Sequence, residues 1–176
     1  MPGIDEKRPF LPVQIAILTI SDTRTKADDR SGEVLVGRIK DAGHKLYARN
    51  IVPDSVGDIN AQLVSWIDDP QVDAVIATGG TGLTGRDVSP EAFERLYDKH
   101  IQGFGELFRM LSFDKIGTST IQSRATAGVV RGTYLFLVPG SPTACKDAWD
   151  GILVHQLDNR YRPCNFVELM PRLTEV

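Results

Sequence analysis

The sequence predicts an α/β protein with a mostly parallel central sheet, and three observations support this class. Apolar runs of strand length alternate with amphipathic helices through the first half of the chain, in the order β-α-β-α-β. Residues 13–20 and 72–78 are apolar almost without a break, as expected of strands covered on both faces. Two later apolar runs separated by Arg131 and Gly132 are typical of a hairpin, which adds an antiparallel element.

The first half of the chain is predicted to supply three strands and two helices. Residues 1–12 hold several prolines and charged residues and are expected to form an extended N-terminal arm. Gly43 ends the first helix, and Pro70 follows the end of the second. Right-handed crossovers then place the three strands parallel in one sheet. The predicted strands are 13–20, 47–52 and 72–78, and the predicted helices are 31–42 and 59–68.

The second half adds helices and the hairpin. A polar connection over 117–124 precedes the hairpin. A Pro-Gly-Ser-Pro turn follows it and opens the last helix. The predicted helices are 90–100, 103–116 and 142–159, and the hairpin strands are 125–130 and 133–138. The domain therefore spans 13–160, and residues 161–176 form a tail that is expected to pack on the domain or on a neighbouring subunit.

Length and composition limit the functions that the chain can have. At 176 residues it has the size of one domain and buries roughly 70% of its unfolded surface. The net charge of -3 and the pI near 5.6 disfavour nucleic acid as a partner. No apolar run reaches the ~18 residues of a membrane span, and the two cysteines form no disulfide framework. The N-terminal residues lack the apolar core of a signal peptide, so a cytoplasmic location is expected.

Residues 73–92 have the pattern most typical of a ligand site. A buried strand leads into a turn with four glycines, then Arg86 and Asp87, then a helix predicted to start with Ser89 as N-cap and Pro90 after it. Glycines let backbone N–H groups approach a phosphate, and a helix N-terminus favours negative charge. The sequence has neither GxxxxGK[ST] nor GxGxxG, which disfavours a P-loop and a dinucleotide fingerprint. A tight surface loop is the structural alternative.

Polar residues also follow the other predicted strands. The polar run of Ser21, Asp22, Thr23, Arg24 and Thr25 comes after the first strand, Asp54 follows the second, and Thr78 ends the third. Because parallel strands of an open α/β sheet end at one edge, where ligands bind, these residues should meet Asp87 there. A solvated loop that caps the next helix is the alternative for the residues after the first strand. The three histidines are far apart and no GxSxG occurs, which disfavours a zinc site and a serine hydrolase.

These motifs resemble one known family. GGTGLTGRDVSPEA, with LTISDTRT and VPD upstream and LVPGSP downstream, resembles the MoaB/MogA family of molybdenum cofactor biosynthesis; GFGELFRMLSFDKIGTSTIQSRA and RPCNF resemble its MoaB branch. The resemblance implies a three-layer α/β/α sandwich, the MogA/MoaB-like molybdopterin-binding fold, assembled as a homotrimer or homohexamer. It also implies Mg²⁺-dependent transfer of the adenylyl group of ATP to molybdopterin, which releases pyrophosphate, followed by a MoeA-type molybdenum insertase as transient partner.

The same resemblance implies site residues. Asp87 and Asp54 match the two acids of the family, which serve catalysis and hold Mg²⁺. Residues of the glycine turn would bind nucleotide phosphates, and others would line the nucleotide and pterin pocket. The phosphate-binding residues are Thr78, Gly79, Gly80, Thr81 and Gly82, and the other lining residues are Ser21, Asp22, Ser123, Arg124, Pro139, Gly140 and Ser141.

Two alternatives to the transferase stay open at this point. The chain also resembles MoaB-branch members that bind molybdopterin or a purine nucleotide without catalysis, although both acids and the PGSP turn favour the transferase. A dinucleotide-dependent oxidoreductase is weaker, because GxGxxG and its ribose-binding acid are missing.

Overall fold

The computed structural model describes residues 1–175, and a six-stranded sheet lies at their centre. The strands of the chain are β1 (Gly3–Ile4), β2 (Gln14–Ile20), β3 (Lys45–Val52), β4 (Ala74–Thr78), β5 (Lys99–His100), β6 (Thr126–Val130), β7 (Thr133–Val138) and β8 (Tyr161–Arg162). The α-helices are α1 (Arg30–Asp41), α2 (Val56–Ile67), α3 (Ser89–Glu94), α4 (Gln102–Ile116), α5 (Pro142–Ala148) and α6 (Val154–Gln156). There are also 3₁₀ helices over Gly117–Gln122 and Val167–Arg172 and a π-helical turn over Trp149–Leu153.

The central sheet is mostly parallel, as the sequence predicts. Its strand order is β3-β2-β4-β7-β6-β5. β2 pairs in parallel with β3 and β4, and β4 pairs in parallel with β7. β6 is antiparallel to both of its neighbours, β7 and β5. The predicted hairpin is therefore confirmed; it turns through Arg131 and Gly132, which both have positive φ.

Helices cover both faces of the sheet, which confirms the three-layer sandwich. One core joins the sheet to α1, α4 and α5 through residues such as Leu35, Phe108 and Cys145. The other joins it to α2 and α3 through Leu63 and Phe93. Strands β4 and β7 are buried at every position because both faces are covered. We call the layer of α1, α4 and α5 the α1 face, and the layer of α2 and α3 the α2 face.

The helix predicted over 90–100 is wrong in its length and its cap. α3 ends at Glu94, and Lys99–His100 instead pairs with β6 as an edge strand. Pairing with β6 gives the backbone N–H and C=O groups of this segment hydrogen-bond partners, which a longer helix would otherwise supply. The pairing begins at Asp98, whose amide donates to the carbonyl of Val129 at 2.9 Å. Val88, not Ser89, occupies the N-cap position. Ser89 is the first residue of the helix, and its side chain is fully buried.

The helix predicted over 142–159 is divided by the π-helical turn. Gly151 lies in that turn against the side chain of Leu111, which is 2.6 Å from where a methyl group on Gly151 would lie. α6 then ends at Gln156. Among residues 1–175 we find no helix with the length and apolar character that crossing a membrane requires.

The arm and the tail contact each other and the domain. β1 in the arm pairs antiparallel with β8 in the tail. Phe166 packs on Tyr134 with ring centroids 4.9 Å apart, and the Tyr134 hydroxyl donates to the Phe166 carbonyl at 3.0 Å. Residue 176 of the predicted tail lies outside the described residues. The described tail thus packs against its own chain, while the proposed boundaries of arm, domain and tail stay predictions.

Candidate functional site at the carboxyl rim of the sheet

The parallel strands β3, β2, β4 and β7 end at one rim of the sheet. Ile20 pairs with Val52, and Thr78 pairs with both Thr19 and Val138. The loops beyond these residues surround a cavity of about 460 Å³, which is in the size range of small-molecule sites. It is lined by Thr19, Ile20, Ser21, Thr23, Arg24, Asp29, Arg30, Ser31, Asp54, Thr78, Gly79, Gly80, Asp87, Gly140 and Pro142.

The cavity brings together half of the residues implied by the resemblance. Those that line it are Ser21, Asp54, Thr78, Gly79, Gly80, Asp87 and Gly140. The others lie outside its lining: Asp22, Thr81, Gly82, Ser123, Arg124, Pro139 and Ser141. Several of these support the rim instead. The Pro139 carbonyl accepts from the Thr78 hydroxyl at 2.9 Å, and Ser141 caps α5 by accepting from the Ala144 amide at 3.1 Å.

Asp22 and Asp54 tie the ends of β2 and β3 together. The Asp22 amide donates to Asp54 Oδ2 at 3.1 Å, and the Asp54 amide donates to Asp22 Oδ1 at 3.0 Å. Asp22 is also ion-paired with Arg86, and this contact lowers the pKa of Asp22. Burial, followed by the charge of Asp22, raises the pKa of Asp54. Asp54 therefore sits in the cavity with a carboxylate that a nearby cation would stabilise.

Two glycines of the turn cannot carry a side chain. Gly79 has φ 113° and a methyl group there would overlap the carbonyl oxygen of Ile20. Gly80 has φ 64°, and its methyl group would overlap Ser89 Oγ and lie 2.8 Å from Asp54 Oδ1. Within residues 1–175 the amides of Gly80 and Thr81 donate to no other residue. The turn therefore presents backbone donors beside a carboxylate, an arrangement suited to an oxyanion.

Asp87 is held in its ionised form by the turn itself. Its Oδ2 accepts from the Thr84 hydroxyl at 2.6 Å and from the Thr84 amide at 2.9 Å. The hydroxyl bond is the main reason why the pKa of Asp87 lies below its usual value. Asp87 is thus a carboxylate at neutral pH with a fixed orientation.

Arg124 supports the turn from outside the cavity. Its Nε donates to the Gly82 carbonyl at 2.9 Å, its Nη2 donates to the Asp87 carbonyl at 2.7 Å, and its Nη1 pairs with Glu91. The guanidinium therefore bonds the backbone of the turn on both sides of Thr84 and joins it to α3. These contacts hold the Arg124 guanidinium against the backbone of the turn, and Ser123 also lies outside the lining of this cavity, so the pocket role implied for both residues stays a prediction.

Sequence reasoning missed several residues that come from the loop before α1. Asp29 is the N-cap of α1, and its Oδ1 accepts from the Gly32 amide at 2.9 Å. Its Oδ2 accepts from the Thr19 hydroxyl at 2.8 Å and from Arg49 Nη2 at 2.9 Å. An aspartate directly before the helix is a recognised N-cap signal, so Asp29 could have been found. Thr23 and Arg24 belong to the polar run that follows the first predicted strand, whereas Thr19, Ile20, Arg30 and Ser31 were not among the predicted site residues.

The donor set of the cavity fits a hard divalent cation with open positions. Asp54 and Asp87 both line it, and among residues 1–175 no group of three or more acidic, histidine or cysteine side chains could hold a metal ion. Mg²⁺ commonly takes one or two carboxylates and completes its six oxygen ligands with water and substrate phosphates. Two carboxylates beside free amides are consistent with that requirement.

These features define a class: an open α/β protein with an anion-binding turn and two carboxylates at its carboxyl rim. The sequence profile of the family described as "Probable molybdopterin binding domain" matches residues 16–159, so the chain belongs to this family.

Relatives and solved structures agree with that assignment. The chain is 51% identical over 157 residues to molybdenum cofactor biosynthesis protein B of Escherichia coli K12, covering 89% of this chain and 92% of the relative. It is 42% identical over 146 residues to the protein of that name from Bacillus subtilis, covering 82% and 86%. A crystal structure of molybdenum cofactor biosynthesis protein B superposes with a TM-score of 0.85 at 37% identity, covering 94% and 98%. The tungsten cofactor synthesizing protein MoaB from Pyrococcus furiosus superposes with a TM-score of 0.73 at 34% identity, covering 81% and 91%.

Proposed function

We propose that this protein acts in molybdenum cofactor biosynthesis and transfers the adenylyl group of ATP to molybdopterin. The observation that carries the proposal is that Asp54 and Asp87 line one cavity with the glycine turn. The family description and the names of the relatives support the pathway and the pterin partner. The nucleotide, the metal ion and the transfer step are proposed from the chemistry of the cavity.

The reaction needs no serine or cysteine nucleophile. A phosphate oxygen of molybdopterin attacks the α-phosphorus of ATP, a new P–O–P link forms, and the bond to pyrophosphate breaks. A phosphate monoester is largely a dianion at neutral pH, so no proton has to be removed first. Catalysis then consists of positioning the two phosphates and balancing their charge. The buried thiol of Cys145 is not required, and burial raises its pKa to about 11.

Each rim residue has a place in this scheme. The amides of Gly80 and Thr81 would donate to oxygens of the triphosphate. Asp54 and Asp87 would hold Mg²⁺. When bound, Mg²⁺ supplies positive charge that offsets the triphosphate and the departing pyrophosphate. Asp87 stays ionised for this role because Thr84 lowers its pKa, and Asp54 becomes ionised more readily once a cation is near.

The test is an in vitro reaction with molybdopterin, labelled ATP and Mg²⁺, followed by chromatography of the pterin product. We expect adenylyl-molybdopterin and pyrophosphate from the wild type and a loss of about 10²–10³-fold in rate for Asp87→Asn, the size seen when transition-state charge stabilisation is removed. Asp41→Asn is the matched control, because Asp41 is an exposed acid at the end of α1 outside the cavity. Normal turnover by Asp87→Asn would contradict the assignment.

The second candidate is a non-catalytic binder of molybdopterin or a purine nucleotide. The closed set of hydrogen bonds around Asp54 and Asp22 suits such a binder as well as an enzyme. In the same assay a binder would take up molybdopterin or nucleotide but release no pyrophosphate. Binding of molybdopterin or nucleotide without formation of adenylyl-molybdopterin, measured with freshly prepared molybdopterin and with Mg²⁺ present, would therefore favour this candidate.

We also propose a homo-oligomer, a trimer or a hexamer, that works in the cytoplasm before a MoeA-type molybdenum insertase. The observation behind the oligomer is a row of exposed apolar side chains on α4, namely Leu107, Met110, Phe113 and Ile116. Apolar side chains repeated along one helix surface are typical of a protein contact. Sedimentation equilibrium of the wild type and of Met110→Glu would test this; a monomeric wild type would contradict it.

A further inference from the structure

Two arginines at the cavity carry charge that the protein does not neutralise. Arg24 lies in the loop after β2, Arg30 is the first residue of α1, and both line the cavity. Arg24 has one carboxylate near it within residues 1–175, Asp28, at 3.9 Å, with both side chains about half exposed. Arg30 pairs with no carboxylate in the same residues and is exposed. Exposed pairs at such a distance contribute little, so both guanidinium groups are free to bind an anion.

Free guanidinium groups are not the rule in this chain. Arg38 forms a two-point contact with Asp150 at 2.7 and 2.9 Å, and Arg49 bonds Asp29 at 2.9 Å. Arg160 likewise pairs with Asp158 at 2.7 Å. Most arginines thus have a carboxylate partner, although Arg95 and Arg109, which lie outside this cavity, have none among residues 1–175. At the cavity, Arg30 has no such partner and Arg24 has only Asp28, at 3.9 Å. This difference points to a ligand that supplies the missing negative charge.

The two signs of charge reach the cavity from opposite faces of the sheet. Arg24 and Arg30 come from the segment that leads into α1, on the α1 face. Asp54 precedes α2, and Asp87 precedes α3, both on the α2 face. Asp29 also lines the cavity from the α1 face, but its carboxylate is paired with Arg49. A ligand in the cavity therefore meets unpaired cations on one side and the carboxylates of Asp54 and Asp87 on the other.

We propose that Arg24 and Arg30 form a subsite for the phosphate monoester of the acceptor, separate from the place where the triphosphate lies. This inference rests on the proposed function. In an in-line displacement the attacking oxygen and the departing pyrophosphate lie on opposite sides of the α-phosphorus. The acceptor dianion must then approach a polyanion from the side away from the carboxylates. Guanidinium groups on that side offset the repulsion and can bind phosphate at two points each.

The subsite is tested by direct binding under anaerobic conditions, without turnover. The probes are molybdopterin, molybdopterin from which the terminal phosphate has been removed, and ATP with Mg²⁺. We expect the double variant Arg24→Gln/Arg30→Gln to bind molybdopterin about 10–100-fold more weakly, the size of one or two charge-assisted hydrogen bonds. Its affinity for the dephosphorylated pterin and for ATP should change less than threefold.

Two further variants serve as controls. Lys26→Gln removes a positive charge from the same loop at an exposed residue that does not line the cavity, and it should bind all three probes as the wild type does. Arg24→Lys/Arg30→Lys keeps the charge but not the two-point geometry, so it should recover part of the lost affinity. Thermal unfolding of each variant checks that the fold is retained.

The outcomes separate the subsite from the proposed reaction. An equal loss of affinity for ATP, or equal binding of the two pterins by the wild type, overturns the subsite. Phosphate-dependent binding through Arg24 and Arg30 by a wild type that forms no adenylyl product supports the subsite while rejecting the transferase.

Discussion

The cavity has two walls that differ in how much of their charge is paired within the protein. In the carboxylate wall, Asp54 accepts from the Asp22 amide and Asp87 accepts from two groups of Thr84. In the arginine wall, Arg24 has only the half-exposed Asp28 at 3.9 Å, and Arg30 has no carboxylate partner within the described residues. The first wall is thus ordered before a ligand arrives, and the second is completed by the ligand.

This difference separates structural from binding effects. A side chain with hydrogen bonds to its own fold contributes to stability and to the geometry of the site, so its loss affects both. A side chain that has no partner within the protein and bonds only to a ligand contributes to binding alone. Substitutions in the carboxylate wall and its turn should therefore lower stability, and those in the arginine wall should leave it unchanged.

The largest effect is expected from Gly79→Ala, which disturbs the turn that carries the carboxylate wall. A methyl group would overlap the Ile20 carbonyl oxygen, and φ at this position is 113°. The backbone strain and the overlap together should lower the free energy of unfolding by about 2–4 kcal/mol. Urea unfolding of the variant beside the wild type measures this loss through the shift of the midpoint.

Gly37→Ala provides the matched control. Gly37 lies in α1 and a methyl group there would meet nothing within 4 Å. Alanine in a helix interior stabilises by roughly 0.5–1 kcal/mol relative to glycine, so the midpoint should rise. If the unfolding midpoints of both variants shifted in the same direction, the claim that position 79 cannot carry a side chain would be refuted.

A smaller effect is expected from Thr84→Val, which removes the hydroxyl donor of Asp87. The pKa of Asp87 should then rise toward its ordinary value. The free energy of unfolding at pH 7 should fall by about 1 kcal/mol, a small value because Asp87 is partly exposed and solvent screens its charge. The pKa of Asp87 is lower in the folded protein than in the unfolded chain. Its carboxylate therefore stabilises the fold at pH values above the unfolded pKa, and this stabilisation is lost as the pH falls through the folded pKa. The difference between variant and wild type should therefore shrink below about pH 4.

Urea unfolding at several pH values follows that difference. Thr118→Val, at an exposed residue of the 3₁₀ helix after α4, is the control for replacing a surface hydroxyl by a methyl group. A stability difference that stayed constant from pH 7 to pH 3 would show that Thr84 acts through packing rather than through the charge of Asp87.

The sheet could be predicted from the sequence because its strands are buried on both faces. Residues 13–20, 72–78 and 133–138 are apolar almost without a break, and no helix period competes with them. The limit appears at α3. Phe93 and Leu96 have helical spacing, but the backbone at Lys99–His100 pairs with β6, a partner that is distant in sequence. Local pattern cannot report such a partner, so the helix predicted there is too long.

The site was predictable where one motif holds several residues and not where separate loops meet. Glycines and an aspartate in one turn indicate phosphate binding by themselves, and Asp54 follows from the end of a strand. Arg24 also follows the end of a strand, within LTISDTRT, but a solvated loop explains that run equally well, and Arg30 carries no such signal. Arg124 has the opposite problem: its sequence motif is recognisable, but its backbone contacts hold it outside the cavity.

The smallest effect expected in the carboxylate wall is that of Asp22→Asn on the protonation of Asp54. The asparagine keeps an oxygen that can accept from the Asp54 amide but removes a negative charge that raises the pKa of Asp54. It also releases Arg86 from its ion pair, and the free guanidinium favours ionised Asp54 as well. The pKa of Asp54, followed by carbon-13 NMR of its carboxyl group, should therefore move downward. A pKa that stayed in place would mean that burial alone controls Asp54, and the two aspartates would then be coupled through their backbone bonds but not through their charges.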